Sequence, residues 1–86
     1  MYLHLGQNVV VPNASVLGIF DLDNTTSSHI TRAFLRQAEK EKRVINVSDD
    51  LPKSFVLCDE DGSIKVFLSQ LSSATLLKRS ETMSFE

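Results

Sequence analysis

The 86-residue chain has no tryptophan, one cysteine, two prolines and three glycines. With Cys58 alone, an internal disulfide framework is excluded, and a cytoplasmic location is expected. No apolar run approaches the roughly 20 residues of a membrane span, so no membrane partner is expected. The opening "MYLHLGQNVVV" lacks the basic n-region of a secretory signal. The sequons at Asn13, Asn24 and Asn46 therefore read as polar turn residues. Positive charge is not in excess either: the net charge is −2, against the strongly basic balance of general polyanion binders. Repeats and low-complexity tracts are missing. What remains is ordinary globular material, 42% apolar and 23% charged. A chain this short buries only about 60–65% of the surface its unfolded form exposes, which makes oligomerisation a natural remedy.

The first motif to weigh is "VLGIFDLDNTT", Val16–Thr26, where an apolar strand delivers Asp21, Asp23 and Thr25 at alternate positions. This is how a D-x-D-x-T phosphatase loop begins. Such an enzyme also needs a lysine for the phosphoryl group and further carboxylates for magnesium. "SDDLPK", with Asp49, Asp50 and Lys53, imitates those parts. Only one helix and one strand fit between Thr26 and Asp49, too little for the parallel sheet that would align them. Asp21, Asp23, Asn24, Thr25 and Thr26 therefore read as a turn and helix cap, with acids favoured near the helix N-terminus. No enzyme, cofactor or small-molecule substrate is expected. His4 has no second ligand at a useful spacing, so no metal site is expected, and Cys58 reads as a small buried hydrophobe rather than a nucleophile.

Periodicity divides the chain into short elements. Tyr2–Leu5 and Asn8–Val11 read as a hairpin turning through Gly6 and Gln7. Val16–Phe20 is apolar on both parities, which predicts cover on both faces, by a helix on one side and another subunit on the other. A helix runs to about Lys42, strands cover Val44–Ser48, Ser54–Cys58 and Ser63–Ser69, and "DEDG" turns between the last two. Ser72 or Ser73 caps a short final helix ending at Arg79. The fold class is α+β: a mainly antiparallel sheet of five to six short strands, one long amphipathic helix and a short C-terminal helix. Residues 1–80 form a single domain and 81–86 a flexible tail. Phe67 shares a strand face with Lys65, opposite Ile64, Val66 and Leu68, and is expected to point outward to another subunit.

"SHITRAFLRQAEKEKR", Ser28–Arg43, carries the most chemistry. Ile30, Phe34 and Ala38 stack as its core face, with Leu35 widening it. His29, Arg32, Arg36, Lys40 and Arg43 form a second stripe roughly opposite, with Glu39 and Glu41 on its flanks. Residues 29–43 carry five Lys or Arg against two Glu, whereas 44–63 carry five acids against Lys53. A stripe of cations can meet successive phosphates of one nucleic-acid strand, although a charged outer face is also the default for a surface helix. Lys78 and Arg79 make a smaller basic pair, which also suits a helix C-terminus.

The segments "MYLHLGQNVVVPNASVLGIFDLDNTTSSHITRAFL", "VINVSDDLPKSFVL" and "SSATLLKRS" resemble the extracellular matrix regulatory proteins of spore-forming Firmicutes, of the RemB type and related to the RemA branch, from Met1 to about Ser80. The resemblance implies a cytoplasmic transcriptional regulator that promotes biofilm matrix genes. For the RemA branch it implies a LytTR-related domain that binds DNA and assembles into rings. That branch carries an arginine-rich turn where this chain has "SDDLPK", in which only Lys53 is basic. The expected function is therefore a homo-oligomeric regulator that contacts the double-stranded DNA backbone through Arg32, Arg36, Lys40, Arg43, Lys53, Lys78 and Arg79. The alternative is an interaction module that regulates transcription through protein partners, with Asp49, Asp50, Asp59, Glu60 and Asp61 as its contact surface.

Overall fold

A computed structural model describes residues 2–22 and 29–83. Strands β1 (Tyr2–Gly6) and β2 (Val9–Pro12) form an antiparallel hairpin, and a single 3-10 turn at Asn13–Ser15 leads into β3 (Val16–Asp21). Helix α1 is described from His29 to Lys40; β4 (Val44–Asn46), β5 (Ser54–Glu60), β6 (Ser63–Ser69) and α2 (Ser73–Met83) follow. The expected cap at Asp23–Thr26 and the helix start at Ser28 lie outside the described residues, as do residues 84–86 of the expected tail. The class is α+β, with six strands in two sheets rather than one. The hairpin stands alone; the other four strands are ordered β3-β5-β6-β4, antiparallel except for the β4–β6 pair. Since β3 and β4 both run parallel to β6, α1 is the crossover that carries the chain from one edge of this sheet to the other.

The strands of this sheet are apolar on both parities because both faces are covered. Successive residues of β5 and β6 point to opposite sides. Val56, Cys58 and Phe67 go one way and pack with Leu3, Leu5 and Val11 of the hairpin and Leu76 of α2. Phe55, Leu57, Val66 and Leu68 go the other way and meet Phe34, Leu35 and Ala38 of α1. Each large apolar side chain buried completely stabilises the fold by about 1.5–3 kcal/mol, and the two layers use β5 and β6 twice over. Phe20 of β3 stacks on Phe55, ring centroids 5.0 Å apart.

Three expectations are corrected. Phe67 is buried, not outward, because the hairpin and α2 of the same chain cover that face of the sheet; no second subunit is required there. Ile30 is 82% exposed although it shares the helical phase of Phe34 and Ala38: it sits in the first turn of the described helix and lines an open apolar pocket with Phe20, Phe34, Phe55 and Leu57. The final helix is not short: its eleven residues run to Met83, beyond Arg79.

Turns and ends follow local chemistry. Asp61 and Gly62, with φ of 53° and 88°, form the two-residue type I′ turn that joins β5 to β6. The Gly62 N–H donates to Asp59 Oδ1 at 3.0 Å. Ser72 is the cap of α2, its Oγ accepting the Thr75 N–H at 3.2 Å. Two buried serines tie the end of the sheet together. Ser69 Oγ donates to Leu5 O at 2.7 Å and accepts the Leu71 N–H at 3.0 Å, while Ser54 Oγ donates to Leu71 O at 2.8 Å.

Candidate nucleic-acid interface

Helix α1 forms because Phe34, Leu35 and Ala38 recur at helical spacing and its remaining positions are good helix formers such as Arg, Gln, Glu and Lys. Burying that apolar side leaves His29, Arg32, Arg36 and Lys40 exposed on the outside. From Arg32 to Lys40 the stripe spans about 12 Å at the rise of a helix. That length lets the cations meet consecutive phosphates of one DNA strand. His29, Arg32 and Arg36 also line a shallow depression with Leu35 and Glu39.

Arg43, the fifth member of the expected stripe, is placed differently. The helix stops at Lys40, and the turn beyond it is a Schellman cap: the Arg43 N–H reaches Ala38 O at 2.9 Å and the Lys42 N–H reaches Glu39 O at 3.0 Å. Lys42 holds the left-handed position, φ 59°. The cap turns the Arg43 side chain back to the protein. Its guanidinium pairs with Glu41 at 2.7 Å and donates to Ile64 O at 3.4 Å, and its Nε is buried without a hydrogen-bond partner. The Gln37 amide, and then the nearby Arg43 charge, hold the Glu41 carboxyl below its ordinary range.

The remaining candidates divide by face. Lys53 is exposed at the end of the sheet, its main chain fixed by bonds from Leu22 N–H to Lys53 O and from Lys53 N–H to Ser69 O. Pro52, its neighbour, lines a groove with Leu35 and Glu39 of α1. Lys78 and Arg79 are exposed on α2, which packs on the opposite face of the four-stranded sheet. There Arg79 donates to His4 O at 3.2 Å. The helix thus carries Arg32, Arg36 and Lys40 on its outer side, across the four-stranded sheet from the α2 pair.

The acids form two patches rather than one surface. Asp49 and Asp50 are exposed in the turn before β5, where the Asp50 N–H donates to Ser48 Oγ at 3.1 Å. Asp59, Glu60 and Asp61 sit at the far end of β5, about 20 Å away by the rise of a strand. His4 is exposed, its Nε2–H donating to Gln7 O at 2.8 Å. Cys58 is fully buried, and burial pushes its thiol above its ordinary range. Among the described residues no group of three His, Cys, Asp or Glu is placed to hold a metal ion, and no helix is long and apolar enough to cross a membrane.

Sequence reasoning passed over Leu51, which stands 87% exposed between Asp50 and Pro52. The signal was available: a leucine in a turn between an acid pair and a proline has no ladder to bury it.

A family profile described as extracellular matrix regulatory protein A-like, or RemA-like, matches residues 2–79. The chain is also 39% identical to extracellular matrix regulatory protein B of Bacillus subtilis (strain 168) over 83 residues, 96% of this chain and 94% of that protein. Both results agree with the resemblance carried by the N-terminal and central segments. The chain therefore belongs to the RemA-like family of extracellular matrix regulatory proteins.

Proposed function

We propose that this protein is a cytoplasmic, non-enzymatic, homo-oligomeric regulator that promotes biofilm matrix genes by binding the backbone of double-stranded DNA. The observation that carries the reading is the exposed cationic stripe of α1. Arg36 and Lys40 lie outermost with Arg32 beside them, Lys53 is exposed before β5, and Arg43 is committed to Glu41 and Ile64 O. Phosphate contacts position a protein on DNA and carry little sequence information. Several weak copies acting together would supply the avidity one subunit lacks.

The test is binding of the purified protein to duplex DNA across a salt series, with its mass in solution recorded. Affinity should fall steeply as salt rises, and Arg36→Glu with Lys40→Glu should abolish binding without changing the mass. Normal binding by that variant would reduce the stripe to a solvated face.

A second reading, regulation through protein partners, is favoured by the acid pair Asp49–Asp50, which is exposed beside the hairpin turn at Gln7 and repels phosphate. An intact oligomer that binds no DNA at low salt would select it.

A further inference from the structure

The outer side of α1 is not purely cationic. The shallow depression lined by His29, Arg32, Leu35 and Arg36 also has Glu39 in its wall, and Glu39 is exposed. At about 100° per residue Glu39 lies roughly 20° from Arg32 and roughly 60° from Arg36 around the helix. Residues three apart on a helix have Cβ atoms about 5–6 Å apart, so a phosphate held by Arg36 comes close to the Glu39 carboxylate.

Stability does not account for this glutamate. It stands in the last turn of α1, where the partial negative charge of the helix end disfavours an acid and favours a cation. The groups that could compensate such a charge serve its neighbour instead. Glu41 accepts a hydrogen bond from the Gln37 amide at 2.8 Å and pairs with Arg43 at 2.7 Å. Arg43, four residues beyond Glu39 and at the right spacing to pair with it, is turned inward by the cap. The Glu39 carboxylate forms no hydrogen bond or ion pair with another described residue.

We propose that Glu39 sets the strength of the stripe: it repels the phosphate strand that Arg32, Arg36 and Lys40 attract, and so holds the affinity of a single subunit low. This rests on the DNA reading and adds its control. With each subunit weak, DNA is held only by several copies together.

Titration of the full chain with several unrelated DNA duplexes at low salt tests it. Glu39→Gln should bind every duplex at least about threefold more tightly, the effect of removing one unit charge about 6 Å from a phosphate in water. Its melting temperature should be unchanged or higher, which a structural role for Glu39 would not give. Glu81→Gln, exposed on α2 across the sheet, makes the same change in net charge and should leave the affinity as it is. Equal gains by both variants would make net charge the cause and overturn the proposal, as would unchanged or weaker binding by Glu39→Gln. A change confined to one duplex would overturn it too, since a repelled phosphate carries no sequence. DNA bound by Glu39→Gln and not by the wild type supports it in its strongest form. DNA bound by neither protein overturns the DNA reading itself, and this proposal with it.

Discussion

Gly18 is glycine for reasons of space. A Cβ built there lies 2.7 Å from Cε2 and 2.8 Å from Cζ of Phe20, whose ring folds back along β3 and stacks on the buried Phe55. Gly18→Ala must push that ring off its stack, and we expect a loss of about 1–3 kcal/mol in chemical denaturation, the cost of overpacking. Ser69 is the complementary case, a polar residue that the core needs. Its hydroxyl serves Leu5 O and the Leu71 N–H together, so Ser69→Ala orphans two backbone groups at once. Each orphan costs about 1–3 kcal/mol when buried, and the variant should be destabilised by about 2 kcal/mol or more. Cys58 needs a different probe. A fully buried thiol whose burial disfavours the thiolate should resist alkylation in the native protein and react only at the rate of opening. Rapid modification under native conditions would contradict its place in the core.

At the scale of elements, the end of α1 offers the cleanest measurement. Lys42 occupies the left-handed position of the Schellman cap, where an L side chain is strained and glycine is not. Lys42→Gly removes that strain but adds freedom to the unfolded chain, for a net gain of about 0.5–1 kcal/mol. For a chain of this size that is a rise of roughly 2–8 °C in Tm by calorimetry. An unchanged or lower Tm would mean that the lysine side chain contributes more than its backbone costs. The same helix shows how far sequence can be read. Its apolar phase at Phe34, Leu35 and Ala38, the approximate strand positions and a turn ending at Gly62 follow from local spacing, so they were legible, although Asp59 and Glu60 belong to β5 rather than to that turn. The exposure of Ile30 was not, because it depends on where α1 crosses the sheet. The burial of Phe67 was hidden for a similar reason: its partners, Leu3, Leu5, Val11 and Leu76, lie at the two ends of the chain. Arg43 continued the stripe in spacing, but a cap made by backbone bonds turned it inward. The cations that remained on the helix were legible because exposure of charge needs no partner.

At the scale of the molecule, the four-stranded sheet divides the basic residues into two populations. Arg36 and Lys40 stand on the α1 side, while Lys78 and Arg79 stand on α2 across the sheet. A duplex lying along α1 cannot use both sets from one subunit. The salt dependence of DNA binding counts the phosphates a protein neutralises, at about 0.9 in logarithmic slope for each. Neutralising Arg36 and Lys40 to Gln should therefore flatten the slope by about 2 and weaken binding for every sequence alike. Lys78→Gln with Arg79→Gln should leave the slope as it is, apart from any stability lost with the Arg79 bond to His4 O, which a melt measures independently. Equal flattening by both pairs would require DNA to reach both faces. A single subunit does not allow that, and the duplex would then have to pass between subunits of the assembly.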